Sequence, residues 1–310
     1  MTSLAFVFPG QGSQTVGLLN GFSGNAAVNQ AMQEASDALS QDLSGLIAQG
    51  PAETLNLTVN TQPVMLASSV AFYRAWQAAG GAQPAWAAGH SLGEYSALTA
   101  AGVFTLADAT RTVRFRAEQM QAAVPVGEGG MAAVLGMDSA AVIAACADAA
   151  QGQVVEAVNF NGLDQTVIAG HQAAVERACA LVKERGAKRA LPLAVSAPFH
   201  SSLLAPAADA LAGYLAKMSL ARPAFNVVNN VDVAVETDPA RIRDALARQA
   251  MRPVRWVEVV QRLEKEGVTT VVECGPGKVL SGLVKRIAPA LNVFAVNDQA
   301  SLDAALEQVS

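Results

Sequence analysis

Two glycines flank one serine in the run Ala85-Trp86-Ala87-Ala88-Gly89-His90-Ser91-Leu92-Gly93-Glu94-Tyr95-Ser96, and no other stretch constrains the fold as tightly. An apolar, strand-like segment ends at Gly89, and a helical pattern begins just after Ser91. Small residues on either side of the serine let strand and helix approach, so the Gly-x-Ser-x-Gly pattern predicts a strained strand-to-helix turn with an accessible hydroxyl. A helix starting there also aims free backbone N–H groups at whatever the hydroxyl attacks.

A chain of 310 residues has room for a large core and a second lobe. Hydrophobic residues at 52% and charged residues at 15% suit a compact α/β enzyme and exclude a largely disordered chain. A net charge of −5, with no basic stripe interleaved with aromatics, argues against nucleic acid as a partner. Cys146, Cys179 and Cys274 lie far apart in apolar contexts, which predicts buried free thiols in a reducing compartment. The N-terminus lacks the basic start of a signal peptide, and no apolar run reaches the roughly 18 residues of a membrane span. The expectation is a soluble cytoplasmic protein with no membrane partner. No HExxH motif or cysteine-histidine cluster occurs, so no metal is expected.

Leu4–Phe8 reads as a buried strand broken by Pro9-Gly10-Gln11-Gly12, and helical patterns fill most of residues 15–80. The strand into Ser91, its helix and a helix over 106–123 follow, and residues 124–130 read as a linker. The periodicity then changes. Strands over 131–136, 154–160, 165–170 and 188–195 alternate with helices over 139–150 and 172–186, a β-α-β-β-α-β order of ferredoxin-like type. This unit interrupts the larger domain. The expected division is 1–125 plus 197–310 for the large domain and 126–196 for the insert. Strands over 225–228 and 268–272 complete the large domain, the latter ended by Gly275-Pro276-Gly277 before another helix.

A serine nucleophile needs a base, and the chain has three histidines, His90, His171 and His200. His171 opens a helix in the small lobe and reads as a surface or capping residue. His90 precedes the serine, points away across the turn and reads as structural support. That leaves His200, in the loop after Pro198, as general base and acid. On the helix over 106–123, Arg111, Arg114 and Glu118 share a polar face, whereas Arg116 falls with Ala109, Val113 and Met120. A guanidinium on an apolar face needs an anionic partner. That partner is either an internal carboxylate such as Glu94 or a carboxylate brought by the substrate, held through two parallel hydrogen bonds. The loops at Pro9–Gly12 and Gly275–Lys278 lack the full phosphate-cradle patterns and read as tight strand-to-helix turns, the first able to donate the Gln11 N–H beside that of Leu92 to an oxyanion.

Phe8-Pro9-Gly10-Gln11-Gly12-Ser13-Gln14, Gly89 to Leu98, Arg116 with Met120-Gln121, Phe199-His200, Val228-Asn229-Asn230-Val231, Arg248-Gln249 and Glu273-Cys274-Gly275-Pro276-Gly277 together resemble the malonyl-CoA:acyl-carrier-protein transacylase family, in its stand-alone bacterial form, along essentially the whole chain. The resemblance implies an α/β-hydrolase-like large domain with an inserted ferredoxin-like small domain. It assigns the nucleophile to Ser91, the base to His200 and the third member, a neutral glutamine carbonyl in place of an acid, to Gln249. It also assigns the oxyanion hole to the N–H groups of Gln11 and Leu92 and the malonate clamp to Arg116. Phe199 before the histidine implies a pocket with little room for an α-methyl branch, although many stand-alone relatives carry serine there.

The implied reaction is ping-pong transfer of malonyl from malonyl-CoA to the phosphopantetheine thiol of acyl carrier protein, supplying fatty-acid synthesis, with no cofactor and with a monomer expected. A neutral residue at 249 is expected to restrain water activation, so that an acidic substitution there would raise hydrolysis. Basic residues Lys183, Arg185, Lys188 and Arg189, or Lys285 and Arg286, could meet an acidic carrier protein. The alternatives are a serine thioesterase or hydrolase of α/β-hydrolase type, a malonyltransferase serving a polyketide synthase, and a scaffold that only binds carrier proteins. Hydrolases of that type usually place several strands before the elbow and the histidine near the C-terminus, unlike this chain.

Overall fold

Uninterrupted apolar runs make strands that must be covered on both faces, and the large sheet is built from such runs. The computed structural model describes residues 3–195 and 197–309; Ser196, within the loop expected before His200, lies outside them. The chain begins with β1 (Leu4–Phe8), buried at every position. Four helices follow, α1 (Ala26–Leu39), α2 (Leu43–Gln49), α3 (Ala52–Leu55) and α4 (Thr58–Ala78), then β2 (Trp86–Gly89), α5 (Gly93–Ala100) and α6 (Leu106–Ala122). A second unit comprises β3 (Gly129–Leu135), α7 (Ser139–Ala150), β4 (Val155–Gly162), β5 (Gln165–His171), α8 (Gln172–Glu184) and β6 (Arg189–Pro192). The chain returns through α9 (Ala205–Leu215), β7 (Asn226–Val228), α10 (Pro239–Gln249), α11 (Trp256–Lys265), β8 (Thr270–Cys274), α12 (Val279–Ile287), β9 (Asn292–Val296) and α13 (Gln299–Val309).

The large sheet is parallel, in the order β7-β2-β1-β8-β9. Side chains of β1 alternate between its faces. Phe6 packs edge-on against Tyr73 and Trp76 of α4, and Phe8 against Tyr73. Ala5 and Val7 face the opposite cluster, which contains Trp256 and Val259 of α11 and Leu283 of α12. Each buried phenylalanine contributes about 1.5–3 kcal/mol of transfer free energy. In a parallel sheet ligand sites form beyond the carboxyl ends of the strands, and β1 and β2 lead there into the Pro9–Gly12 loop and Ser91.

The small sheet is antiparallel, in the order β4-β5-β3-β6, with α7 and α8 on one face. Its other face carries Met131 and Val167 into the cleft above Ser91.

Three details differ from the sequence reading. The expected linker is partly strand, since β3 starts at Gly129. A Cβ at Gly129 would lie 2.5 Å from the Pro198 ring and one at Gly130 2.1 Å from Gln172 Oε1, so these glycines mark close approach rather than a hinge. The last small-sheet strand stops at Pro192. The strand over 268–272 is not the final one: β9 pairs with β8 at the sheet edge, and α13 follows. The Val293–Val296 run of β9 is apolar but short, and at the sheet edge Val293, Phe294 and Ala295 stay half-exposed.

The elbow depends on backbone contact. A Cβ on Gly89 would lie 1.8 Å from the Gly93 carbonyl carbon, and one on Gly93 would lie 2.0 Å from the Phe8 carbonyl oxygen. Gly89→Ala or Gly93→Ala should therefore destabilise the fold by about 3 kcal/mol or more, seen as a fall of roughly 6 °C or more in Tm by calorimetry.

Candidate active site

Ser91 leaves β2 with φ +53°, in the left-handed region that L residues avoid. The turn's amides are nearly all taken: Ser91 N–H donates to Asn230 Oδ1 at 2.8 Å, and the N–H groups of Gly93, Glu94 and Tyr95 donate to the carbonyls of His90, Ser91 and Leu92. Among the described residues, the Leu92 N–H is the elbow amide left without an acceptor. Gln11 lines the same cleft from the loop after β1.

His200 is buried, with φ +65°, in the loop stopped by Pro198. Its Nε2 lies 2.7 Å from Ser91 Oγ and its Nδ1 2.7 Å from the main-chain carbonyl oxygen of Gln249. Those partners assign a neutral ring, with Nδ1–H donating to the carbonyl and Nε2 accepting from the hydroxyl. Burial, and then the Arg116 charge, push the imidazole down to about 3.

The carbonyl that meets His200 belongs to the backbone. The Gln249 side chain points elsewhere: Nε2 donates to Ser91 O and to Glu94 Oε2, both at 2.9 Å, and Oε1 accepts from Arg116 at 3.0 Å. Any residue at 249 would offer the same acceptor to the ring, so an acidic substitution there does not test the neutral partner. It would place a carboxylate against Arg116 and Glu94.

Arg116 is buried on α6, as its helical position predicts, but Glu94 does not pair with it directly. The guanidinium donates to Gln62 Oε1 at 2.8 Å, to Gln249 Oε1, and to Ser91 Oγ at 3.2 Å, and it lies 5.5 Å from the Tyr95 ring centroid. Its Nε has no partner among the described residues. A buried cation with only neutral acceptors is costly. Glu94 lies one amide away, its carboxyl raised to about 7 by burial despite its hydrogen bonds from Gln249 and the Asn230 N–H.

The cleft over Ser91 has a volume of about 190 Å³ and joins this polar floor to an apolar wall of Met120, Met131, Val167, Leu193, Val195 and Phe199. Phe199 is buried in that wall. His90 also lines the cleft, yet its ring is held 2.7 Å from Asn161 Oδ1 and edge-on to Trp256. His171 makes no side-chain cap; its Nδ1 accepts the Val154 N–H at 3.0 Å, tying β5 to the start of β4. Cys146 and Cys274 are buried free thiols, and Cys179 is half-buried. Gln62 and Asn230 were not singled out from sequence. The available signal was the asparagine pair that follows β7; Gln62 lies among other polar residues of α4, Asn60, Thr61, Ser68 and Ser69, and carries no pattern of its own.

The acyl transferase domain family matches residues 5–293, which hold the seryl hydroxyl at the end of a parallel strand, the histidine beside it and the antiparallel sheet above them, so the chain is of the acyl transferase class. The malonyl CoA-acyl carrier protein transacylase of Salmonella typhimurium is 56% identical over 99% of this chain and 100% of its own length; that of Bacillus subtilis is 45% identical over 99% and 97%. The crystal structure of acyl-carrier-protein S-malonyltransferase from Burkholderia pseudomallei superimposes with a TM-score of 0.97 at 63% identity, covering 99% of this chain and 100% of that one. A malonyl-transacylase solved with its type II PKS acyl-carrier protein gives a TM-score of 0.98 at 52% identity, covering 99% and 100%. The chain belongs to the malonyl CoA-acyl carrier protein transacylase family.

An imidazole that stays neutral well below its ordinary value keeps its acceptor nitrogen available in acid. Labelling of Ser91 by a small uncharged sulfonyl fluoride should therefore stay flat from about pH 8 to pH 5, where an ordinary histidine would have lost most of its basic form. The same burial links stability to pH. With its folded value depressed, His200 contributes stability that is present above its unfolded value of about 6.5 and is lost progressively as pH falls from there through the folded value of about 3, a loss that unfolding titrations across that window would show.

Proposed function

We propose that this chain moves malonyl groups from malonyl-CoA to the phosphopantetheine thiol of an acyl carrier protein through a malonyl-serine ester. The observation that carries the reading is the placement of a buried guanidinium, whose direct acceptors are all neutral, 3.2 Å from the hydroxyl that also meets His200. His200 Nε2 takes the Ser91 proton as Oγ attacks the thioester carbonyl, and the oxyanion forms toward the N–H groups of Leu92 and Gln11. Each such donor typically contributes about 3–4 kcal/mol at the transition state. The tetrahedral intermediate collapses, the carbon–sulfur bond breaks, and His200 returns the proton to the CoA thiolate. The carrier-protein thiol then attacks the ester with the same groups in reverse.

The malonyl carboxylate gives Arg116 the anionic partner its buried site lacks. Phe199 and the methionine wall bound the space beside the malonyl α-carbon. His200 leans on a main-chain carbonyl rather than a carboxylate, which stabilises the imidazolium less and disfavours activation of water. No metal or bound cofactor enters these steps.

Lys188 and Arg189 are exposed at the start of the β6 segment, whose continuation supplies Leu193 and Val195 to the cleft wall. Arg185, by contrast, is already paired with Asp148 at 2.5 Å. Lys188 and Arg189 are therefore the favoured contact for an acidic carrier protein. The malonyl-transacylase solved with a type II PKS acyl-carrier protein shares this fold at 52% identity, and supply of fatty-acid synthesis is the reading we adopt for this chain.

Intact-protein mass spectrometry after mixing with malonyl-CoA should show one malonyl adduct, absent in Ser91→Ala; rapid release of free malonate without an adduct would reject transfer. Arg116→Ala should reduce malonyl transfer about 100-fold more than acetyl transfer, the effect of ~3 kcal/mol in one buried charged contact. Equal losses for the two acyl groups would reject the clamp. Lys188→Glu with Arg189→Glu should raise KM for the carrier protein and leave KM for malonyl-CoA unchanged.

A further inference from the structure

The two loops that build the base relay are both fastened to one strand of the small sheet. β4 is an edge strand, so its outward N–H and C=O groups are free to pair. They pair with the segment just after Gln249: Val254 N–H donates to Val158 O at 2.9 Å, and Phe160 N–H donates to Val254 O at 3.0 Å. Two residues before that pairing, Glu156 reaches the other loop. Its Oε2 accepts the Ser202 N–H at 2.7 Å and its Oε1 accepts the Ser202 hydroxyl at 2.8 Å. Ser202 stands two residues beyond His200, whose φ of +65° L residues avoid and which surrounding contacts must hold. Ser201 Oγ closes the same turn onto Pro198 O at 2.7 Å.

We propose that the β4 edge fixes the geometry of the base, with Glu156 as a positioning residue that clamps the His200 turn through Ser202. The inference rests on the reading of His200 as base to Ser91. Glu156 touches neither ring nor substrate cleft. It captures one main-chain and one side-chain donor with two oxygens, which fixes the direction of the turn as well as its position. A displacement of about 1 Å at a reacting group can cost on the order of 100-fold in rate, so the clamp should be visible in acylation rather than in substrate binding.

Rapid-quench mass spectrometry of Ser91 malonylation tests the clamp. Glu156→Ala should lower the single-turnover rate about 10- to 100-fold, with KM for malonyl-CoA within about twofold of wild type. Ser202→Ala, which keeps the main-chain donor, should lose a few-fold, and the double variant should be no slower than Glu156→Ala alone. Glu156→Gln keeps one acceptor oxygen and should fall between wild type and Glu156→Ala; with Ser202→Ala it carries the test if Glu156→Ala fails to fold. The acid limb of the rate should also rise toward pH 6.5 in Glu156→Ala, because a loosened ring regains water. Arg116 and His90, the charged or titratable side chains acting on His200, are unchanged in that variant. A wild-type rate in Glu156→Ala, a loss confined to KM, additive losses in the double variant, or an unmoved acid limb would each overturn the clamp. Malonylation that persists in His200→Ala would instead overturn the reading of the base itself.

Discussion

One buried carboxyl group orders the polar groups around Ser91. Glu94 Oε2 accepts from the Asn230 N–H and from the Gln249 amide, both at 2.9 Å. Asn230, so anchored, takes the Ser91 N–H and returns its own amide to Gly89 O at 2.7 Å. Gln249, so anchored, has no choice of amide orientation: its NH2 faces acceptors, and its oxygen must face Arg116. The strained serine turn, the guanidinium and the relay carbonyl are thus referenced to a single side chain on the elbow helix. Low dielectric raises what is at stake in such a network, since every unmet donor there carries its full desolvation penalty.

The same network explains why the guanidinium is left wanting. Glu94 compensates Arg116 through an intervening amide, close enough to make its burial tolerable and too far to saturate it. A direct ion pair would have filled the donor fork and closed the site to an incoming anion. Met120, one turn along α6 from Arg116, and Phe199 line the cleft beside the guanidinium with apolar surface.

Much of this was legible in the residues themselves. The elbow could be read because glycine at 89 and 93 has a steric cause, and Arg116 because a charge on an apolar helical face breaks a simple periodic rule. The β-α-β-β-α-β order followed from strand and helix periods. Sequence patterns failed where the determining group is main chain or where a residue serves contacts distant in sequence. The edge strand β9 is a short Val-Phe-Ala-Val run, which periodicity alone does not separate from a helical segment. Gly129 and Gly130 resemble a linker until Pro198 and Gln172 are seen packed on them. Gln62 looks like an ordinary helical polar residue, and Glu94, legible from sequence only as a direct partner for Arg116, reaches it instead through the Gln249 amide.

Because the relay acceptor is a peptide oxygen, position 249 does two separable jobs, one by its backbone and one by its amide. Substitution scanning can report only on the second, and its effects would be mistaken for those of the first. The histidine's support is insulated from point mutation at its own address and is vulnerable only where α10 ends and the following loop is tethered. Drift at this residue can retune the electrostatics of the acyl pocket while the proton relay stays in place.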